Sequence, residues 1–283
     1  MRHDKGTVLF TNGDTPVTYG DIVSALERLG ANRCDVLFVH SDISFGKIDR
    51  GIKRKELLLF LWDALQEMGV QTLMFPTFTF SFCNREDYDV QFSPTAMGML
   101  PEYIRKQENV YRSNDPILSV AIVGNTKGFE KMTGTSSCGE GGIFHQIHTS
   151  GKKVKFLFLG TSVMKCFTFL HYVEEVKQVP YRYIREFTGN VIRDGRAEKK
   201  TVQLYVRYKG VTATLPGDFD KQLLERGIMR TENVGASSIS LVDEKKSFEY
   251  ISEMLDENKY IFSILPEDGN LLKEYEYGNV VTM

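Results

Sequence analysis

Residues 35–40 of this 283-residue chain read Asp-Val-Leu-Phe-Val-His, a run of four apolar side chains that ends on a histidine. A short apolar run of this kind is typical of a strand that is buried on both faces of a sheet. Similar runs follow at 71–76, 118–123 and 154–160. The sequence therefore predicts a central sheet built from several buried strands.

Amphipathic segments between these runs predict helices that cover the sheet. One begins at Thr18, where Thr18 and Asp21 resemble a capping box, and others are predicted over 53–68, 95–107, 167–178, 218–226 and 244–258. Beyond residue 185 the pattern alternates, and Lys209-Gly210 indicates a hairpin turn between 202–208 and 211–215. We expect an α/β fold in which a mixed central sheet is flanked by helices and carries a small antiparallel excursion. One domain over residues 1–283 accounts for the whole pattern.

The bulk composition is that of an ordinary globular protein. Hydrophobic residues make up 42% of the chain and charged residues 25%, and the net charge of −2 gives no global attraction to nucleic acid or anionic membranes. No stretch approaches the ~18 apolar residues of a membrane span, and no long apolar run begins the chain. The four cysteines are scattered, which favours free thiols in a reducing compartment. We expect a soluble, cytoplasmic monomer or homodimer that binds neither nucleic acid nor membrane.

Polar residues follow three of the predicted strands. The three strand ends are His40-Ser41-Asp42-Ile43-Ser44, Pro76-Thr77-Phe78-Thr79-Phe80-Ser81 and Gly160-Thr161-Ser162. Because ligands of open α/β sheets bind beyond the carboxyl ends of the strands, these segments predict a shared cleft. A histidine at a strand end is also explained by packing alone, so the residues leave the role of His40 open.

His171 lies in a predicted helix that follows the third strand end. Glu174 and Glu175 come three and four residues later, at spacings that share one helix face. A carboxylate beside an imidazole fixes its tautomer, and a pKa of about 6.5 suits a general base near neutrality. An ordinary helical ion pair fits the same spacing, and Glu174 could instead pair with Lys177.

Cys138, His145 and His148 offer donors for a zinc ion, which would suit a metal-assisted hydrolase that also uses His171. No second cysteine lies near them, and His145 and His148 lie three apart in an apparent helix. The chain lacks a phosphate-binding G-x-x-x-x-G-K-[ST] loop, a G-x-G-x-x-G turn and a G-x-S-x-G elbow. These absences disfavour nucleotide hydrolysis, dinucleotide redox chemistry and α/β-hydrolase chemistry.

Several short segments, taken together and in order, resemble the aminoglycoside 3-N-acetyltransferases, also called the antibiotic N-acetyltransferase family. They extend over about residues 35–245, nearly the whole chain. The matching segments are Val39-His40-Ser41, Leu73 to Thr79, Met97 to Arg105, Val110-Tyr111-Arg112-Ser113 with Pro116, Ser119 and Val120, Gly139-Glu140-Gly141, Leu157 to Gly160, Leu170-His171-Tyr172 with Glu174, Val179-Pro180-Tyr181-Arg182, and Val234 to Ser237.

The resemblance implies transfer of an acyl group from acyl-CoA, with acetyl-CoA as co-substrate, to a primary amine. His171 falls on the catalytic histidine of the family, His40 on its strand-end histidine, and Glu174 on the acidic position that follows. No metal is implied. From the same alignment of segments we expect contacts with the cofactor from Ser41, Ser44, Thr77, Arg112, Ser113 and Ser119. We expect contacts with the acceptor from Asp42, Thr79, Glu102 and Glu175.

Two departures bear on the acceptor. The family often has histidine where Asp115 precedes Pro116, and many resistance enzymes have His-Ser-Ser where this chain has His40-Ser41-Asp42. An amino sugar is therefore the expected acceptor, with aminoglycoside resistance as the alternative. A non-catalytic protein that binds a sugar or CoA is a further alternative, because a fold does not fix a function.

Overall fold

The structure is a computed structural model that describes residues 3–129 and 132–275. Its strands are β1 (Val8–Asn12), β2 (Thr15–Thr18), β3 (Val36–Ser41), β4 (Lys47–Ile48), β5 (Thr72–Pro76), β6 (Tyr88–Asp89), β7 (Val110–Arg112), β8 (Val120–Gly124), β9 (Val154–Leu159), β10 (Arg182–Arg193), β11 (Arg196–Arg207), β12 (Thr212–Ala213), β13 (Met229–Val234), β14 (Ser237–Asp243) and β15 (Ser263–Ile264). Its helices are α1 (Tyr19–Leu29), α2 (Arg54–Glu67), α3 (Met99–Ile104), α4 (Ile143–Thr149), α5 (Val163–Cys166), α6 (Phe169–Val176), α7 (Phe219–Glu225) and α8 (Glu244–Glu257).

The central sheet has seven strands in the order β13-β14-β9-β3-β5-β8-β7. β3 is parallel to β5 and β9, whereas β8 and β14 are antiparallel to their neighbours. β7 and β13 each pair antiparallel with one of these reversed strands, so they run in the same direction as β3. Five strands, β3, β5, β7, β9 and β13, therefore end at one edge of the sheet, which we call the carboxyl edge.

Alternation along β3 separates two hydrophobic layers. Leu37 and Val39 pack into the cluster that α1 and α2 cover, whereas Val36 and Phe38 pack into the cluster that contains α4 and α6. Successive side chains of a strand point to opposite faces, so His40 falls on the same face as Phe38. The histidine at the end of this strand thus lies on the side of the sheet that carries α6.

Most of the predicted elements are confirmed. The predicted mixed sheet is present, and the capping box at Thr18 and Asp21 opens α1. Helix ends differ by a few residues, because α3 begins at Met99 and α6 at Phe169. The sheet that β1, β2 and β4 form near the N-terminus, and the β13–β14 pair that extends the central sheet, were not predicted. No helix among the described residues is long and apolar enough to span a membrane.

The prediction of a hairpin turn at Lys209-Gly210 is wrong. The turn lies at Asp194-Gly195, where both residues have positive φ, and it joins β10 and β11 in an unbroken antiparallel register of twelve residue pairs. The segment after Gly210 forms only β12, which pairs with β15. An Asp-Gly pair with two left-handed residues suits the twist of a two-residue hairpin, which explains the position of the turn.

Gly160 joins β9 to the next loop in a place where a side chain has no room. Its φ is +72°, and a β-carbon there would lie 2.1 Å from the carbonyl oxygen of Asp42. The amide of Asp42 in turn donates to the carbonyl of Leu159 at 2.9 Å. The ends of β3 and β9 are therefore pressed together at the carboxyl edge, and glycine permits this contact.

We expect Gly160→Ala to destabilise the protein much more than Gly151→Ala. Gly151 also has positive φ, at +69°, but a β-carbon there would meet nothing within 4 Å. Backbone strain should cost about 1–2 kcal/mol in both variants, and the clash with Asp42 should add roughly 1–3 kcal/mol to Gly160→Ala. Urea unfolding of both variants measures the difference, and equal losses of stability would contradict the close contact.

Candidate active site

Polar strand ends meet at the carboxyl edge, as the sequence predicted. β3 and β9 are hydrogen-bonded neighbours, and Ser41 at the end of β3 is paired with Leu159. The segment before α3 also reaches this edge, because a β-carbon at Gly98 would contact the carbonyl oxygen of Ser41. Thr95 anchors the same segment by donating its hydroxyl to the carbonyl of Phe78, beyond the end of β5.

An aromatic stack connects His40 to the start of α6. The ring of His40 stacks on Phe158 with centroids 5.1 Å apart and planes 14° apart. Phe158 contacts Phe167, which lies two residues before α6, with an edge-to-face separation of 5.6 Å. The two histidines that the sequence singled out are thus attached to one aromatic layer on the same face of the sheet.

His171 and Glu174 form the pair that the helical spacing predicted. His171 Nδ1 lies 2.6 Å from Glu174 Oε2, and the carboxylate side chain is 1% exposed. The hydroxyl of Tyr181 donates to Glu174 Oε1 at 2.6 Å, and Arg182 Nη2 lies 2.9 Å from Oε2. Glu174 therefore pairs with His171 and Arg182, while Lys177 pairs with Asp256 at 2.5 Å.

The electrostatics of this pair favour a neutral histidine beside an ionised glutamate. Burial raises the pKa of Glu174, but the positive charge of Arg182 and the contacts with His171 and Tyr181 outweigh it and hold that pKa at about 2. Burial and the nearby Arg182 charge together lower the pKa of His171, although Glu174 opposes them. A neutral imidazole whose Nδ1–H faces Glu174 leaves Nε2 without a proton.

Two ring nitrogens and one hydroxyl remain available for a ligand. His40 Nε2, Ser41 Oγ and His171 Nε2 are buried, and each has no hydrogen-bond partner within residues 3–129 and 132–275. Buried polar atoms are nearly always paired in folded proteins, so a bound group that paired with these three atoms would satisfy them. Burial lowers the pKa of His40 to about 3, so this histidine is neutral near pH 7.

Arg112, Thr77 and Ser119 form a buried network behind the carboxyl edge. Arg112 donates Nε to Thr77 Oγ1 at 3.2 Å and Nη2 to the carbonyl of Thr77 at 2.9 Å. Its Nη1 donates to the carbonyls of Val90 and Ser93. Ser119 Oγ donates to the carbonyl of Thr77 at 2.5 Å. In this structure the Arg112 guanidinium holds three segments of backbone together.

Some of the other predicted site residues are hydrogen-bonded or ion-paired within the protein, and others are exposed to solvent. Ser113 Oγ accepts from the amide of Val120, Thr79 Oγ1 donates to the carbonyl of Pro116, and Glu102 is paired with Arg105 and Lys106. Asp42 and Ser44 are exposed in the loop that follows β3.

Glu175 is buried on α6, next to Glu174. Its Oε1 accepts the hydroxyl of Ser136 at 2.8 Å, and Oε2 has no partner within the described ranges. Burial raises the pKa of this carboxyl group. A β-carbon at Gly139 would overlap the Glu175 carboxylate, so the glycine-rich segment 139–142 packs against this acid.

His145 and His148, which were proposed as zinc ligands, have other hydrogen-bond partners in the structure. His148 Nδ1 lies 2.7 Å from Glu244 Oε1, and His145 Nδ1 accepts from the amide of Gly141 at 3.2 Å. Among the described residues, no group of three His, Cys, Asp or Glu side chains is arranged to hold a metal ion. The positions of Cys138, His145, His148 and His171 therefore do not support the hydrolase alternative.

Three residues at this edge carry roles that the sequence reasoning did not assign. Tyr181 and Arg182 belong to a segment that resembles the family, and both contact Glu174. Asp115 stands where the family often has histidine, and its Oδ1 accepts from the amides of Ile117 and Leu118 and from Ser137 Oγ. The signal for Asp115 was available, because an Asp just before a buried strand is suited to accept from the following amides.

The aminoglycoside 3-N-acetyltransferase family model matches residues 38–256, which is well over half of the chain. The chain therefore belongs to this family of acetyl-CoA-dependent N-acetyltransferases. Two of the segments that carried the resemblance in sequence, Val39-His40-Ser41 and Leu157 to Gly160, meet at the carboxyl edge. No curated protein sequence matches the chain.

Solved structures share the fold over most of the chain. The apoenzyme of aminoglycoside acetyltransferase AAC(3)-IVa is 20% identical with a TM-score of 0.68, and the match covers 94% of this chain and 96% of that one. The YokD protein from Bacillus subtilis is 19% identical with a TM-score of 0.69, over 86% of this chain and 95% of that one. AAC-IIIb, solved as a binary complex with CoASH, is 20% identical with a TM-score of 0.68, over 85% and 96%.

We expect His40 to make stability depend on pH. Its pKa is about 3 in the folded protein and about 6.5 when the chain is unfolded, so the unfolded state takes up the proton between these values. The contribution of neutral His40 is complete above pH 6.5 and is lost as pH falls, by up to about 1.4 kcal/mol per pH unit.

Urea unfolding of the wild type and of His40→Gln between pH 7 and pH 4 measures this loss. The stability of the variant should fall less steeply with decreasing pH than that of the wild type. Parallel stability curves for the two proteins would contradict the burial of a neutral histidine at this position.

Proposed function

We propose that this protein transfers an acetyl group from acetyl-CoA directly to the primary amine of an amino sugar, with His171 as the general base. The single observation that carries the proposal is the state of the His171 imidazole. Its Nδ1 lies 2.6 Å from the ionised Glu174 carboxylate, whereas its Nε2 has no partner among the described residues. An imidazole held in this way is prepared to accept one proton at one defined atom.

The transfer needs one proton acceptor and no covalent enzyme intermediate. The amine nitrogen attacks the thioester carbonyl while His171 Nε2 removes one of its protons, and the tetrahedral intermediate then collapses. The C–N bond replaces the C–S bond, and the leaving thiolate of CoA takes the proton from the His171 imidazolium, which restores the neutral base. Glu174 stabilises the imidazolium during this cycle and stays ionised, because Arg182, His171 and Tyr181 hold its pKa at about 2.

The negative charge on the thioester oxygen needs a hydrogen-bond donor. The hydroxyls of Thr77 and Thr79 already have partners, because Thr79 donates to the carbonyl of Pro116 and Thr77 Oγ1 lies between Arg112 and Ser119. His40 and Ser41 each retain a polar atom without a partner at the carboxyl edge, within the described residues. We assign the oxyanion to these two side chains, with a neutral His40 donating from one ring nitrogen.

The remaining predicted cofactor residues are assigned to the wall of the CoA site. Arg112 fixes the backbone at Thr77, while Ser119 and Ser113 brace the strands on either side. This role is indirect, since Arg112 is 5% exposed and its guanidinium donates to protein oxygens. The CoASH complex of AAC-IIIb, which has the same fold, supports a cofactor at this site.

The amine acceptor is assigned to the open side of the same edge, near Asp42 and Ser44. Both residues are exposed in the loop after β3, and an exposed carboxylate attracts an ammonium group, which loses one proton to solvent before the neutral amine attacks. The alternative acceptor is an aminoglycoside, which is supported by an AAC(3)-IVa mutant solved in complex with a gentamicin, at 20% identity and a TM-score of 0.69. Neither the cofactor nor the acceptor assignment requires a metal.

We expect His171→Ala to lower kcat/KM for acetyl transfer by about 10² to 10⁴, the usual contribution of a general base. His148→Ala is the matched control, because His148 also lies on a helix and also pairs with a glutamate, Glu244, at 2.7 Å. This control should lose stability but keep near-normal turnover per folded molecule. Turnover of His171→Ala close to that of the wild type would rule out the assignment of the base.

A thiol-release screen with acetyl-CoA identifies the acceptor. The purified protein is mixed with aminoglycosides in one series and with nucleotide-linked amino sugars in the other, and free CoA thiol is measured. We expect release with the amino sugars, because the acceptor loop carries Asp42 in place of the serine of many resistance enzymes. Release with aminoglycosides alone would favour the resistance function, and release with neither series would favour a non-catalytic binding protein.

A further inference from the structure

Arg182 opens strand β10 directly after the Val179-Pro180-Tyr181 segment, and its side chain points back to α6. The side chain is 4% exposed, and Nη1 donates to the carbonyl of Tyr205 in the neighbouring strand at 3.0 Å. Tyr205 also holds the start of the segment, since its hydroxyl donates to the carbonyl of Val179 at 2.6 Å. The guanidinium is therefore clamped to β11 and presents Nη2 to α6.

Arg182 Nη2 lies 2.9 Å from one atom of each side chain in the His171–Glu174 pair. One is Glu174 Oε2, and the other is His171 Nδ1. A guanidinium only donates hydrogen bonds and stays protonated in proteins, so it cannot accept the proton on Nδ1. The three groups therefore have two proton arrangements, which differ in the ring nitrogen of His171 that carries the hydrogen.

In the first arrangement, both Nδ1–H of His171 and Nη2–H of Arg182 donate to Glu174 Oε2, and Nε2 is free. In the second, Arg182 donates to an unprotonated Nδ1 of His171, and Nε2 carries the hydrogen. The second arrangement places the lone pair of Nδ1 2.6 Å from a carboxylate oxygen with no hydrogen between them, which is strongly repulsive. The first is favoured, because Glu174 then accepts a hydrogen bond at each close contact.

We propose that Arg182 is the positioning residue of the active site, which locks the Glu174 carboxylate and thereby keeps His171 Nε2 free to accept a proton. The inference rests on the proposed function of His171 as base. Arg182 acts through Glu174 and does not itself touch the substrate.

The Arg182 charge has a second consequence, because it also acts on His171 directly. The charged groups that act on His171 are Glu174 on α6, Arg182 at the start of β10, and Arg207, which lies opposite Arg182 in the β10–β11 register. Glu174 raises the pKa of His171, whereas Arg182 and Arg207 lower it. Arg182 therefore counteracts Glu174 and keeps the imidazole neutral at lower pH than the carboxylate alone would allow.

The test compares Arg182→Gln with Arg182→Lys in pH profiles of kcat/KM. The base works when it is neutral, so a higher pKa of His171 moves the acid limb of the profile to higher pH. Arg182→Gln removes the charge and should move this limb upward by about one pH unit. Arg182→Lys keeps the charge but has a single nitrogen, which cannot donate to Glu174 and to the Tyr205 carbonyl together. It should lower kcat/KM at every pH and leave the pH of the acid limb unchanged.

Lys177→Gln is the matched control. It removes one positive charge from the end of the same helix, where Lys177 pairs with Asp256, and it should leave the limb unchanged. A purely structural role for Arg182 predicts that both Arg182 variants lose activity without any movement of the limb. That outcome, or an equal shift in Arg182→Gln and Arg182→Lys, would overturn the proposal.

Nuclear magnetic resonance of histidine labelled with ¹⁵N provides a readout that is independent of activity. The chain has five histidines, and the spectrum of His171→Gln assigns the signal of His171. The wild type should show the Nδ1–H tautomer, and the pKa of His171 should rise in Arg182→Gln. If the protein proves to lack transferase activity, this titration still tests Arg182, so failure of the proposed function and failure of the positioning role are distinguishable.

Discussion

The carboxylate of Glu174 is the group on which the arrangement of the active site depends. It is buried and ionised, and an ionised carboxylate in a protein interior is tolerated only when its oxygens are well paired. Its partners come from different elements, His171 from its own helix and Tyr181 and Arg182 from the chain that enters β10. Satisfying this one charge therefore requires the long hairpin to begin at a defined place against α6. The same requirement orients the imidazole, so the stability of the fold and the chemistry of the site share one set of contacts.

The second constraint is the two-residue period of a strand. Because side chains alternate, the apolar run of β3 supplies both hydrophobic layers, and the terminal histidine must fall on the layer that α6 covers. Phe158 and Phe167 fill the space between His40 and that helix with stacked and edge-to-face rings. The two histidines thus lie on one layer although about 130 residues separate them in the chain.

Sequence patterns predicted the parts of this structure that depend on local chemistry. The apolar runs identified the central strands, and the i, i+3 spacing identified the contact between His171 and Glu174. The hairpin was misplaced because Lys209-Gly210 was interpreted as its turn, whereas Asp194-Gly195 is the pair that takes up two left-handed conformations. Arg112 was expected to contact the cofactor, and in the structure its guanidinium donates to carbonyls of segments that are distant in sequence. Contacts of that kind, like those of Arg182, depend on how strands are ordered in a sheet, which no short pattern encodes.

The long hairpin of β10 and β11 also has an open strand edge, which is a site where other molecules can add a strand. Within the part of the chain that the structure describes, β11 is the outer strand of its sheet, so its first half offers backbone groups to any other strand. This half is Arg196-Ala-Glu-Lys-Lys200, and most of its side chains are exposed. Charged side chains on an open strand edge discourage the addition of a further strand from another molecule. The hairpin that supplies Arg182 to the active site is thus protected along the exposed half of its outer strand against edge-to-edge aggregation.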